Sequence, residues 1–377
     1  MEAQIISPQA RELDRVHPEY AAMSDEQKRQ RAFDKLQEYI NRGEESAKAA
    51  VRRILGEVPS DALVPAHAIG VRPMGAEFVV GAGSNVLGHL HPHALDQLAT
   101  RLGMPTRYMH ELQGRGEGWA QGLVAQNHNQ KAKHFDPQEK FLVRAVGTTV
   151  RGVHSQSYRT EDSRPAVDAL IGIAQELDAV VADGRALDTK ASIKVMVREP
   201  VEVFPGEWAV LGLDYRTSDY GDGGREFCGW ILRLLCLNGA TTVASYRRVH
   251  LGGRLTDEVE YSKATRQLNE RASASAARDI GRALLGKEAI RKLVEQVRAA
   301  NAVELNPDAA IASIRKSVSK DEQKAIVEKY NSPDIVLLPP GNTKWRFSNA
   351  ISWLANNTAD AHRRLELESV AGEFIAA

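Results

Sequence analysis

The sequence predicts an α+β protein: a curved antiparallel sheet with helices on one face, flanked by N- and C-terminal helical segments. Three observations lead there. KASIKVMVRE alternates cleanly, with Ala191, Ile193, Val195 and Val197 on one side and Ser192, Lys194, Met196 and Arg198 on the other, as a half-buried strand does. FLVRAV and TTVRGVHSQSYR, joined at Gly147, read as a hairpin. Both ends of the chain instead space their apolar residues at helical intervals.

Residues 1–60 form an N-terminal helical arm. Ser24-Asp25-Glu26-Gln27 makes a capping box before QKRQRAFDKLQEYI. Phe33, Leu36 and Ile40 give a thin apolar stripe, suited to docking on the body or on a neighbouring subunit. Residues 61–128 are a mixed helical segment. EFVVG is a short strand, and GAGSNVLG is a loop whose glycines lack dinucleotide-binding spacing. HPHALDQLATRLGMPTRYMHELQG makes two short helices broken at Gly103-Met104-Pro105.

Residues 129–260 are the central α+β core. After the hairpin, Ser163 and Pro165 open a helix with Val167, Leu170, Ile171, Ala174 and Leu177 on its buried face. KASIKVMVRE follows, and Pro205-Gly206 turns the chain into a further strand, EWAVLGLDYR. FCGWILRLLCLNG then reads as a buried helix. Phe227, Ile231, Leu234 and Leu235 fall on one face, and Trp230, Leu232 and Leu237 cover the other. Gly239 is placed to close that helix in the left-handed conformation. Residues 261–377 are a C-terminal helical region, broken at Asn306-Pro307 and Ser332-Pro333. Its last helix carries Trp345, Phe347, Ile351, Trp353 and Leu354.

The 377 residues are 43% hydrophobic and 26% charged, the balance of an ordinary globular chain. Lys+Arg and Asp+Glu are both 49, which excludes a purely electrostatic nucleic-acid coat but leaves room for one basic face. Cys228 and Cys236 sit eight residues apart on the predicted helix, too far apart to bond, so a reduced, cytoplasmic chain is expected. The first twenty residues lack a secretory pattern, and no apolar run reaches membrane-spanning length, so no membrane partner is expected.

The neutral total hides alternating blocks. Between Leu123 and Thr160, six basic residues face two acidic ones; between Glu161 and Gly229, fourteen acidic face seven basic; from Gly239 to Thr256 there are three arginines and no acid. If the two basic blocks lie side by side, Arg144, Arg151, Arg159, Arg247, Arg248 and Arg254 contact phosphates along a groove, and Tyr158 and Tyr246 support bases. Arg233 then braces the groove from beneath or pairs with a buried carboxylate. The alternative is a set of solvated sheet edges.

Metal chemistry has two candidate groups: His89, His91, His93 and His110, and Asp214, Asp219 and Asp222. Capping and turn chemistry account for both. GxSxG, P-loop and CxxC motifs are absent, so no catalytic residue and no cofactor is assigned.

HALDQLATRLGMPTRYMHEL, VRAVGTTVRGVHSQSYRTEDSRPAVDAL, LDYRTSDYGDGGREFCGWILRLLCLNGATT, RRVHLGGR and TKWRFSNAISWLA, in this order, resemble the phage/plasmid-like protein family, a domain of unknown function. The resemblance spans roughly residues 60–360 and implies a mobile-element protein working in a bacterial host. The order of elements is also similar to that of phage single-strand annealing proteins. That similarity implies an oligomer that binds and anneals single-stranded DNA in recombination, without a cofactor. The alternatives are an assembly protein of the element that does not bind nucleic acid, and a metal-dependent enzyme built on the histidines or aspartates named above.

Overall fold

The computed structural model describes residues 22–158, 160, 162–248, 262–332 and 338–376, without the side chains of 243–248, Lys263, Arg266 and Ala376. Helix α1 (Asp25–Gly56) starts as its residues dictate: Ser24 accepts from the Gln27 amide, and the Gln27 side chain accepts from the Ser24 amide. Four strands follow: β1 (Ser60–Pro65), β2 (Ile69–Met74), β3 (Glu77–Ala82) and β4 (Asn85–Leu90). EFVVG is thus a strand as expected, while GAGSNVLG supplies a tight turn and most of β4 instead of a loop. Three helices come next: α2 (Pro92–Arg101), α3 (Thr106–Gly114) and α4 (Gly118–Ala132).

The hairpin β5 (Lys140–Val146) and β6 (Thr149–Ser155) joins those four strands in one sheet, ordered β1-β5-β6-β4-β3-β2. Only β4 and β6 run parallel. This sheet crosses residue 128, where composition suggested a division. Leu95, Leu98, Met109, Leu112 and Val124 of α2–α4 pack against Val71, Val80, Phe141, Val143, Val150 and Val153.

Helix α5 (Arg164–Glu176) leads into a second sheet: β7 (Ala179–Ala186), β8 (Ala191–Val197), β9 (Val201–Phe204), β10 (Glu207–Thr217), β11 (Arg225–Arg233) and β12 (Asn238–Arg248). The order is β12-β11-β10-β8-β7, with β9 beside one end of β10, and every pair is antiparallel. The α+β class stands, with the strands divided between two sheets.

The expected helix over FCGWILRLLCLNG is the hairpin β11–β12. Both faces of β11 are buried, so its apolar residues form a continuous run, and such a run fits a helix pattern equally well. Phe227 and Ile231 face one side, Trp230 and Leu232 the other. The β-branched Thr241, Thr242 and Val243 favour the strand. Leu237, at φ 57°, takes the left-handed position assigned to Gly239. Gly239 instead lies in β12, where a Cβ would come 3.0 Å from the Trp230 ring nitrogen.

Among the described residues six helices follow: α6 (Lys263–Leu285), α7 (Lys287–Ala302), α8 (Pro307–Ile314), α9 (Lys320–Tyr330), α10 (Lys344–Asn356) and α11 (Ala361–Ala376). Asn306 caps α8 through the Asp308 and Ala309 amides, as Asn-Pro predicts. Helices cover both faces of the second sheet, not one. Residues of α5 and α6 pack on Ile193, Val195, Leu213, Tyr215 and Phe227. Ala32, Leu36 and Tyr39 of α1 pack on Met196, Val210, Trp230 and Leu232 of the opposite face. Trp345, Phe347 and Ile351 of α10 centre a third cluster with α7–α11, Leu211 and Ile231.

A buried ionic network fixes α11 on this sheet. Lys194 donates to Glu368 at 2.7 Å, Arg216 donates to Asp214 at 2.7 Å, and Arg216 reaches Glu368 at 3.5 Å. Asp214 also accepts from the Ser192 and Thr241 hydroxyls, at 2.6 and 3.0 Å. Burial opposes the Asp214 charge, but Arg216 and Lys194 outweigh it and hold the carboxyl below its ordinary range. Gly372 of α11 rests on the backbone of β12; a Cβ there would sit 1.7 Å from the Thr241 carbonyl oxygen. Gly372→Ala therefore forces the helix off the strand and lowers stability by about 2–3 kcal/mol or more. The measurement is a fall in urea midpoint at unchanged slope; an unchanged midpoint contradicts this seating.

Candidate nucleic-acid interface

The structure separates the two basic blocks. β5 and β6 belong to the first sheet and β12 to the second, so they do not share the face of one sheet as expected. Two of the arginines expected to contact phosphates, Arg144 and Arg151, are internal, and so is Arg233. Arg144 is 4% exposed and donates to both carboxylate oxygens of Asp61, at 3.1 and 3.2 Å. Arg151 is 9% exposed; it donates to both oxygens of Glu57, at 2.6 and 3.2 Å, and to the Asp188 carbonyl at 3.2 Å. Arg233 is 0% exposed and fork-bonded to Glu207, with the Cys236 sulfur 3.4 Å from it. Arg233 thus pairs with a buried carboxylate, the second of its two expected roles. Buried guanidinium groups paired with carboxylates cannot reach a phosphate without abandoning a carboxylate in the interior.

Tyr158 is half-buried and stacked on the His154 ring, with centroids 3.8 Å apart and 8° between planes. Tyr246, Arg247 and Arg248 lie on β12 in register with Phe227, Glu226 and Arg225; their side chains are outside the described residues. Arg159 and Arg254 are outside the described residues altogether.

Glu57 links the two sheets. It sits just past α1, accepts from Arg53 and, across the seam, from Arg151 of β6. Burial opposes its ionisation, but hydrogen bonds from Arg151 and Arg53 hold its carboxyl below the ordinary range. His93 and Gln97 of α2 cross the same seam to the Tyr220 carbonyl, at 3.1 and 2.9 Å.

The histidines and aspartates are engaged separately. His89 meets Glu77 at 3.0 Å, His110 meets Asp96 at 2.7 Å, and His91 caps α2 by accepting from the His93 amide. Asp219 accepts from Ser163, and Asp222 accepts from Thr189 and Lys190. Among the described residues, no group of three or more His, Cys, Asp or Glu side chains is placed to hold a metal ion. Cys228 is buried on β11 and Cys236 lies in the turn after it; neither is in a disulfide, and they sit on a hairpin instead of the expected helix.

A cleft of about 510 Å³ opens where the far ends of β8, β10 and β11 meet α11. Lys190, Arg216, Lys316, His362 and Arg363 line it, with the Gly223-Gly224 turn on one side. The acids in its wall are Asp222, Glu226 and Glu366. Asp222 neutralises Lys190 at 2.9 Å, and Arg363 is held by Glu322 and Glu366, at 2.7 and 2.6 Å. Lys316 is exposed. Glu226, in the cleft wall, pairs in register with Arg247, so the basic end of β12 borders the cleft. Sequence reasoning missed it because its cations come from β7–β8, the α8–α9 connection and the start of α11. The only local signal was the His362-Arg363-Arg364 run at a helix start, where cations are unfavourable next to the macrodipole.

Comparison with protein-family models, with curated proteins and with solved structures returns no match.

Two stability tests follow from the pairs. Arg233→Met leaves Glu207 buried and unpaired, at a cost of about 3–5 kcal/mol, and Arg233→Met with Glu207→Leu recovers most of it. A double-mutant cycle in urea measures the coupling; additive losses contradict the pairing. Glu322 caps α9 and binds Arg363, whose hydrogen bonds draw its carboxyl down to about 2 from the ordinary 4.5. Its folded value is depressed, so its stabilisation is complete above 4.5 and is lost as pH falls toward about 2. The urea midpoint of Glu322→Gln should lie below that of the natural chain near neutral pH, and the gap should close through this window.

Proposed function

We propose that the protein binds and anneals single-stranded DNA for a phage or plasmid, as an oligomer, with the strand running through the α11 cleft and along the end of β12. The observation that carries this reading is the cleft itself. It is open, its lining includes Lys190, Lys316, His362 and Arg363, and in register it borders the strand end bearing Tyr246, Arg247 and Arg248. Exposed cations follow phosphates, and an adjacent aromatic residue stacks on bases. Annealing requires positioning and charge neutralisation, so no cofactor enters. In this reading Arg144, Arg151 and Arg233 hold the fold, and the strand contacts shift to Lys316, Arg247 and Arg248.

One observation favours the second reading, an assembly protein that does not bind nucleic acid. The three paired arginines explain much of the basic patterning as internal structure. Fluorescence anisotropy with a labelled single-stranded oligonucleotide separates the two. Binding should weaken steeply with salt. Lys316→Glu with Arg247→Glu and Arg248→Glu should weaken it roughly tenfold or more and flatten the log–log salt slope by about 2. If micromolar protein shows no salt-sensitive binding, the assembly reading stands, and sedimentation then defines the oligomer.

A further inference from the structure

A second cleft, of about 570 Å³, lies between α1, β7, the turn joining β11 to β12, and α10. Arg42, Arg185 and Arg364 line it, with Tyr39 and Trp353 as its aromatic walls. Its one carboxylate is Asp183.

Arg364 is paired with Glu368, which leaves Arg42 and Arg185 against Asp183. Asp183 is occupied elsewhere: one oxygen accepts from the Ser46 hydroxyl at 2.8 Å and from the Gly184 amide at 2.9 Å. Arg185 comes no nearer to it than 3.8 Å, beyond hydrogen-bond length, and the Arg185 Nε is buried without an acceptor. Arg42 is exposed, its guanidinium carbon 5.4 Å from the centre of the Tyr39 ring. Arg364 donates to Asn356 at 3.0 Å and to Glu368 at 3.2 Å from the opposite wall. An anion in the open cleft would give the exposed Arg42 and the partly exposed Arg185 side chain the close acceptor that Asp183 does not supply. The planar fork matches phosphate and carboxylate oxygens, and Arg42 and Arg185 present two such forks to the cleft. The volume is that of a small-ligand site, and Trp353 lies beside the cations, one face of its ring covered by the Lys329 ammonium 4.9 Å from the centre.

We infer that this cleft binds a phosphate group carried on a planar ring, a ligand the size of a mononucleotide. The site is separate from the single-strand path and does not depend on it.

The test is calorimetry and thermal shift on the full chain with inorganic phosphate, adenosine monophosphate and adenosine. Adenosine monophosphate should raise the midpoint, phosphate should do so more weakly, and adenosine should leave it unmoved. Arg42→Gln alters an exposed residue; alone, and combined with Arg185→Gln, it should weaken binding by roughly tenfold or more. The unliganded midpoint of Arg42→Gln should stay unchanged. The Lys316, Arg247 and Arg248 charge reversals should leave the response intact, which separates this site from the strand path. The phosphate could also come from a strand end. Preference for a 5′-phosphorylated over a 5′-hydroxyl oligonucleotide, lost in Arg42→Gln, assigns that source; equal binding of the two with a retained mononucleotide response assigns a free ligand. No response to millimolar phosphate and adenosine monophosphate, or an equal response in the double variant, overturns the site.

Discussion

Glu368 is the residue on which the second half of the molecule depends. Its carboxylate, 1% exposed, answers Lys194 from β8, Arg216 from β10 and Arg364 from its own helix. A buried cation without a partner is unstable; Arg216 has Asp214 on its own strand, but Lys194 of β8 takes its carboxylate from α11, so the sheet's buried charge is balanced only when α11 docks. α11 in turn seats Gly372 on β12 and holds α10 through the Ser348 hydroxyl, which donates to the Ala371 carbonyl. The chain's final element is therefore part of the sheet's electrostatics as well as its packing.

Ion pairs recur elsewhere: Asp61 answers Arg144 between neighbouring strands β1 and β5, Glu207 answers Arg233 between β10 and β11, and Glu57, just past α1, answers Arg151 of β6. Such pairs favour specificity of docking more than raw stability, because an element that shifts leaves a charge stranded. Among the described residues, cations also line two open clefts, with Lys316 on one side of α11 and Arg42 and Arg185 near the other.

Legibility in the sequence followed locality. Helix starts were readable because their determinants lie within four residues: Ser24 with Gln27, and Asn306 with Pro307. β8 was readable as a strand from its alternation, but not its burial: Ser192, Lys194 and Met196, expected on an open face, are internal because α1 and α11 cover that side. The β11–β12 hairpin was not, because helices bury both its faces and erase the period. The site was less legible still. Arg144 meets Asp61 across 83 residues and Arg151 meets Glu57 across 94, so a basic stretch and a braced interior look alike until the fold is known. Arg233 was the exception, since a charge inside an apolar run announces a buried partner without naming it.

The placement of α1 has one further consequence. The helix lies along β7, the outermost strand of the second sheet, with Gly43 against the Ala182 carbonyl and Ala47 and Ala50 against Gly184. It serves as a cover over a strand border, so a chain cut after residue 57 would present a bare β-edge ready to recruit another strand. Nicking by a protease in the connection to β1 would then seed self-association through main-chain pairing instead of releasing an inert peptide.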